Sequence, residues 1–381
     1  MKIIKRILKV FLAAFLSLAT LLLVFFGTSC IAGFIQIGKN IKYQDKHLEY
    51  LKNEYYTDSY VPCDEQSFTN FNIEEAFSKG VKMNEIAVMG THNSYQRLAT
   101  LPKRALMRTL QIISLGAVEN KAIFEMDTFT EQLEQGIRNI EIDIITVDDG
   151  DSVSFIVTHK PILDNVSSAY NFAKAIEEIA MWSDNNPGHL PVYLLIEPKG
   201  DVTSVNNMQN FSTQYALELD KLLRDKLGDK LLTPALTMGE YETFEAMRNA
   251  DDWPTLKEVA GKIIVLMHPC DVTQGYIDTD TSIKTQAMFP MLRFGDIDKP
   301  YASFILDNDP AGANENNKIT VNKKRLMVRT RADDYPDFSD ERYSFAESCG
   351  SHIITTDYPP RSVRNYDHTY TFDGYTIKLL K

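Results

Sequence analysis

From Glu85 onward, short runs rich in β-branched and aliphatic residues alternate with longer stretches whose apolar positions recur at helical spacing. The runs predict strands over 86–90, 139–145, 153–158, 192–196, 263–267, 302–306, 325–329 and 352–355. Between them, helices are predicted over 127–135, 167–183, 204–227, 282–289 and 339–348. Parallel strands need crossover connections long enough to hold a helix, so this alternation predicts an α/β fold with a parallel sheet. Eight strand runs fit a distorted TIM (β/α)8 barrel. The link between the second and third runs is too short for a crossover helix and is the expected irregularity.

The N-terminus follows a different pattern. Lys2, Lys5, Arg6 and Lys9 precede a stretch without charge from Val10 to Gly38, and Val10–Phe26 is almost wholly apolar. A membrane-spanning helix needs about 20 predominantly apolar residues, whereas a cleaved signal has a core of about 7–15. An N-terminal hydrophobic helix acting as an uncleaved signal-anchor is therefore expected, with secretion as the outcome if residues 1–38 are removed. The cationic cluster predicts a cytoplasmic N-terminus and an extracytoplasmic remainder. The expected division is 1–38 anchor or signal, 39–82 stalk and entry segment, and 83–381 barrel. Within the entry segment, Asn72-Ile73-Glu74-Glu75-Ala76-Phe77 reads as the start of a short helix.

Composition narrows the functional classes. A formal net charge of −12 supplies no basic field, and Lys and Arg do not cluster with aromatics, which argues against nucleic-acid binding. Cys30, Cys63, Cys270 and Cys349 stand far apart, without the paired spacing of zinc or redox sites; after export, three of them can form one disulfide and leave one thiol. Asn165-Val166-Ser167 and Asn210-Phe211-Ser212 are glycan acceptors only in a host that attaches such glycans.

Working residues in such barrels sit at the C-terminal ends of strands. The first predicted strand runs into Thr91-His92-Asn93-Ser94-Tyr95, the second contains Glu141-Ile142-Asp143, the third ends at Thr158-His159 and the fourth at Glu197-Pro198-Lys199. Strand alternation points Glu141 and Asp143 to one face and the flanking isoleucines to the other. Two carboxylates enclosed that closely repel unless a cation or shared proton offsets them. With Asn93 and Glu197 they offer four oxygen ligands, which water and a substrate phosphate raise to the roughly six to eight that Ca2+ takes; an irregular all-oxygen set suits Mg2+ less well.

On these residues the chain resembles the calcium-dependent phosphoinositide phospholipase C family of the PLC-like phosphodiesterase barrels. The resemblance runs from about Glu85 to Pro360. Further pieces are Gln132-Leu133-Glu134-Gln135-Gly136-Ile137-Arg138, Ile196-Glu197-Pro198-Lys199, Trp253-Pro254-Thr255-Leu256, Arg329-Thr330-Arg331-Ala332-Asp333 and Thr356-Asp357-Tyr358-Pro359. It implies attack of the inositol 2-hydroxyl on the neighbouring phosphorus, giving diacylglycerol and a cyclic inositol phosphate. His159 is then the acid for the leaving glycerol oxygen, and His92 shares the base role with Glu141. Asn93, Glu141, Asp143 and Glu197 form the implied metal set. Lys199, Arg331, Asp357 and Tyr358 are candidates for phosphate or inositol contact, although Arg329 and Arg331 can equally pair with Asp333, Asp334 or Asp357.

The expected partners are a phosphoinositide or related phosphodiester lipid and a membrane. A glycerophosphodiester phosphodiesterase shares the Glu-x-Asp pair and the following histidine, but that family usually opens with His-Arg-Gly where this chain has His92-Asn93-Ser94. A catalytically silent, membrane-anchored barrel is the alternative outside enzymes.

Overall fold

The computed structural model describes residues 2–113, 125–161, 165–200, 207–310, 312, 321–333, 338–362 and 368–380. Eleven strands form one sheet: β1 (Ile86–Thr91), β2 (Asn139–Asp148), β3 (Val153–Val157), β4 (Val192–Pro198), β5 (Met208–Gln209), β6 (Ile263–Met267), β7 (Phe289–Pro290), β8 (Phe304–Asp307), β9 (Met327–Arg331), β10 (Ile353–Thr356) and β11 (Ile377–Leu379). Eight are hydrogen-bonded in parallel in the order β7-β6-β4-β2-β1-β10-β9-β8. Leu292, just past β7, meets Ile305 in a parallel bridge, with Leu306 N donating to Leu292 O at 2.8 Å. That contact brings the two ends together into a nearly closed TIM-like α/β barrel.

The count of eight is as predicted, but its membership is not. The run at 153–158 forms β3, which pairs antiparallel with β2 as a hairpin and lies outside the barrel. Its turn is built locally: the Asp149 carboxylate accepts from Ser152 N at 2.8 Å and Asp151 N at 3.0 Å, and Gly150 takes φ 88°. The missing barrel strand is β7, within a segment expected to be helical over 282–289. Asp280 captures Ser282 N and Thr285 N at 3.0 Å each, and the buried Asp220 captures Ala287 N at 3.1 Å. Those side chains take the amides that a helix would need.

The other predicted helices form, with shifted ends. Six helices are labelled α1 (Lys2–Tyr50), α2 (Ile73–Lys79), α3 (Leu101–Ile113), which was not among those predicted, α4 (Phe129–Glu134), α5 (Phe172–Asn185) and α6 (Thr213–Leu227). Asn72 caps α2 as its sequence predicts, accepting from Glu75 N at 2.8 Å. The expectation of helix from 204 falls partly on 201–206, outside the described residues; Met208–Gln209 is strand and α6 begins at Thr213.

Strand alternation sorts the core into two layers. Ile140, Ile142 and Ile144 of β2 and Leu194 and Ile196 of β4 face outward onto Phe172, Ile176 and Ile179 of α5. Ile86, Val88, Tyr193, Leu195, Ile264, Leu266, Phe304 and Met327 fill the barrel interior. Continuing each inward-facing row toward the strand C-termini reaches His92, Glu141, Asp143, Glu197 and Arg329. The barrel is thus apolar below and charged at its mouth.

The N-terminal apolar run belongs to α1. The side chains of Leu21, Leu22, Leu23, Phe25 and Phe26, among others, lie outside the described residues, and among those described no helix is long and apolar enough to cross a membrane. Cys63, Cys270 and Cys349 are not joined to one another by a disulfide, so the bridge that the sequence allows among them does not form. Asn165 is buried, with Nδ2 donating to Gly33 O and Pro161 O at 3.0 and 2.9 Å, which removes it as a glycan acceptor.

Candidate active site

The loop after β1 is held by a buried hydrogen-bond network. Thr91 Oγ1 donates to Gln132 Oε1 at 2.6 Å, Gln132 Nε2 donates to Ser94 O at 2.8 Å, and Ser94 Oγ accepts from Glu141 N at 2.8 Å. This explains why Gln132 belongs to the motif although it touches none of the candidate groups. Gly90 leaves room for β2: a Cβ there would lie 2.6 Å from Asn139 Cβ. Asn93 sits at φ 48°, a left-handed conformation that Asn tolerates better than most residues and that turns the chain back into the mouth.

Glu141, Asp143 and Glu197 each offer an oxygen within 4.8 Å of the others, as predicted from alternation. Glu141 and Asp143 are buried. Fixed cations hold one side of each carboxylate. Arg329 pairs with Glu141 Oε2, and Lys199 Nζ lies 3.0 Å from Asp143 Oδ2 and 2.6 Å from Glu197 Oε1. Tyr95 OH also donates to Asp143 Oδ2 at 2.9 Å and lies 3.4 Å from Asn93 Oδ1. The buried Asp143 Oδ1 has no hydrogen-bond partner among the described residues. An orphaned carboxylate oxygen beside two further carboxylates fits a hard, oxygen-seeking cation.

Burial and charge act in opposite directions across this cluster. Burial pushes Asp143 up to about 6 despite Lys199. Glu197 is raised by burial too, but Lys199 and His268 outweigh it and bring it down to about 2. Burial would lower Lys199, yet the two carboxylates hold it above the usual lysine value.

His92 Nδ1 lies 2.9 Å from Asp357 Oδ1 and 3.2 Å from Arg331 Nη2. A single nitrogen cannot donate to one and accept from the other. The shorter contact is to a carboxylate, so Nδ1–H donates to Asp357, and Arg331 is left to pair with Asp357 Oδ2 at 3.8 Å. Nε2 then faces Glu141 Oε1, 3.9 Å away. Asp357 is itself positioned by Asp333, which accepts its backbone N–H at 2.7 Å; burial and the Asp357 charge push Asp333 up to about 8.

His159 follows β3, half-buried, near enough to lower Asp143 electrostatically. Tyr358 is also half-buried, edge-on to Phe338 with centroids 5.5 Å apart. All ten residues singled out in the sequence therefore lie at the mouth, but two stand differently from expectation. Lys199 is engaged by two carboxylates, and Asp357 is the partner of His92. Arg329 pairs with Glu141 instead of Asp333, Asp334 or Asp357. One group had gone unrecognised: His268 follows β6 directly, and burial lowers its pKa while Glu197 and Glu141 oppose. The same strand-end rule that selects His92 would have selected it.

A family model described as phosphoinositide phospholipase C, Ca2+-dependent, matches residues 81–153 and 149–379. The chain belongs to that family. Calcium-dependent phosphoinositide phospholipases C are phosphoric diester hydrolases, and the acidic cluster at the barrel mouth accords with their metal dependence. Solved structures agree in fold. The calcium-dependent phosphoinositol-specific phospholipase C of a Gram-negative Pseudomonas sp. superposes at TM-score 0.54 with 15% identity, over 83% of this chain and 99% of that one. A myoinositol complex of that enzyme matches equally well. The Ca2+-dependent phosphatidylinositol-specific phospholipase C of Streptomyces antibioticus follows at TM-score 0.52 and 18% identity, over 73% and 95% of the two chains. No curated protein sequence matches.

Proposed function

We propose that this phospholipase C cleaves phosphatidylinositol or a close relative, with the inositol 2-hydroxyl as nucleophile. The new bond forms between that oxygen and phosphorus, the bond from phosphorus to the glycerol oxygen breaks, and the products are diacylglycerol and a cyclic inositol phosphate. The observation that carries this is the opposition of His92 Nε2 to the carboxylate cluster, with His159 on the neighbouring strand end.

Asp357 fixes the proton on Nδ1 of His92, so Nε2 presents a lone pair toward the mouth. In that state it can take the 2-hydroxyl proton; once protonated, it donates to a phosphoryl oxygen. Glu141 is the competing base. His159 gives its proton to the departing glycerol oxygen. Asn93, Glu141, Asp143 and Glu197 would hold the Ca2+, which when bound lowers the pKa of the attacking hydroxyl and offsets phosphoryl charge. Arg331, beside His92, supplies fixed positive charge for the phosphate, Lys199 keeps the carboxylates ionised, and Tyr358 offers a ring to the inositol.

The N-terminal helix is proposed to enter a bilayer through its apolar run, with the cationic residues 2–9 cytoplasmic and the barrel outside. Incubating the full chain with phosphatidylinositol and separately with glycerophosphoinositol, and following products by phosphorus NMR, tests the reaction. A cyclic inositol phosphate with diacylglycerol is expected. Glycerol phosphate released from the deacylated substrate would instead favour a glycerophosphodiester phosphodiesterase.

A further inference from the structure

The part of α1 that follows its apolar run is docked on the barrel by buried amides. Gln36, Asn40, Gln44 and Leu48 recur every four residues along one face and are all buried. Asn40 Nδ2 donates to Asn165 O, while Asn165 Nδ2 donates back to Gly33 O at 3.0 Å. Gln44 Nε2 donates to Asn171 O at 3.0 Å and Gln44 Oε1 accepts from Asn171 N at 2.8 Å. Farther along, His47 Nε2 meets Glu178 Oε1 at 3.1 Å. A loose tether needs none of these directional bonds.

The partners give α1 a direction. Asn171 caps the N-terminus of α5, at the mouth, and α5 runs from there toward the bottom of the barrel. As α1 passes from Gly33 through Asn40 and Gln44 to His47, its partners pass from Asn165 through Asn171 to Glu178. It therefore runs parallel to α5, and its N-terminal half extends beyond the mouth. Arg97, on the loop after β1, stacks on Tyr43 with 3.9 Å to the ring centroid and pins the same level. At 1.5 Å per residue, Phe26 stands only about 10 Å beyond Gly33.

A second apolar element rises from this rim. Gln96 bridges Ser167, Met126 N donates to Gln96 O, and α3 lies in the excursion between. It has no acidic residue, and Leu101 and Ile112 are 73% and 67% exposed. On α1 beyond the mouth, Phe11, Leu12, Phe15, Leu16, Val24 and Ile31 are exposed as well, below the exposed cations Arg6 and Lys9. An apolar face carrying cationic side chains suits a lipid surface.

Resting on the proposal that α1 enters a bilayer, we propose that its docked segment and α3 together set the barrel mouth-down on that same bilayer, so that the enzyme draws lipid from the membrane it is anchored in. A chain with net charge −12 gains no general attraction to anionic lipid. A rigid mount replaces it.

The test uses the full chain in phosphatidylcholine vesicles containing phosphatidylinositol. Trp182 and Trp253 are buried, so a tryptophan introduced at the rim (Leu101→Trp) or beside the start of β6 at the bottom (Leu236→Trp) reports depth through quenching by brominated lipid. Quenching of the rim probe alone is expected; equal quenching, or quenching of the bottom probe alone, overturns the orientation. Loosening the mount with Asn40→Leu and Gln44→Leu together should lower turnover of vesicle phosphatidylinositol roughly tenfold, since a tether that no longer aligns the site loses effective concentration. Flotation with vesicles and hydrolysis of a water-soluble inositol phosphodiester should stay unchanged. Unchanged vesicle turnover overturns the mount. Wild-type protein that fails to float overturns the anchor, and with it this proposal, whereas wild type that floats without cleaving the soluble substrate overturns the reaction alone.

Discussion

His92 Nδ1 and Asp357 Oδ1 lie 2.9 Å apart, both side chains buried, with the Arg331 guanidinium alongside. The carboxylate sets which imidazole nitrogen keeps its proton. Asp357→Asn should therefore preserve the fold but cut kcat about a hundredfold or more, because the amide no longer selects the same tautomer. His92→Ala and His159→Ala should each collapse turnover while the chain still folds. Near-normal kcat for phosphatidylinositol in any of these would remove that residue from the proposed mechanism.

Asp143 must be ionised to hold a cation, and burial raises its carboxyl to about 6. Protons and calcium then compete, so calorimetric titration should find affinity falling as pH drops through about 6. Chelator should abolish activity and added calcium restore it. Asp143→Asn should weaken calcium binding and flatten its dependence near pH 6.

Arg329 is fully buried and pairs with Glu141 and Asn308. Removing one partner of a buried pair leaves the other charge uncompensated, at a cost of about 3–5 kcal/mol. Arg329→Met should accordingly lower the melting temperature in chelator and recover part of the loss with calcium, which would supply positive charge at the same carboxylate. Equal losses in both conditions would exclude a cation beside Glu141.

Asp333 carries the opposite pH signature from an ordinary salt-bridged carboxylate. Its folded value of about 8 exceeds its unfolded value of 3.8, so its favourable contribution is complete below about 4 and disappears as pH rises through 8. Asp333→Asn, a neutral mimic that can still accept from Asp357 N, should match wild type near pH 4 and be the more stable at pH 9. Denaturant melts at the two pH values check this.

The barrel was legible because its strands are apolar runs whose inward rows end in polar groups, a pattern that local alternation reveals. Glu141 and Asp143 could be placed together from their spacing on one strand alone. The hairpin at β3 was foreshadowed by its short connection. β7 was not, because Phe289–Pro290 is too short for any periodicity, and its pairing with β6 depends on Asp280 and Asp220 capturing amides nearby.

The amino-acid sequence by itself determined the strand-end chemistry at His92, Asn93, Glu141, Asp143, His159 and Glu197, because strand periodicity and residue type are local properties. Only the tertiary structure decided who pairs with whom. Arg329 to Glu141, Asp357 to His92 and Lys199 to Asp143 are contacts across different strands of the barrel, fixed by barrel register and closure. The course of α1 past the mouth was likewise hidden, since amides at Asn40 and Gln44 look like solvent-facing residues until Asn165 and Asn171 are brought against them. Charge pairing and docking depend on distances between segments far apart in the chain, and those distances exist only after the chain has folded.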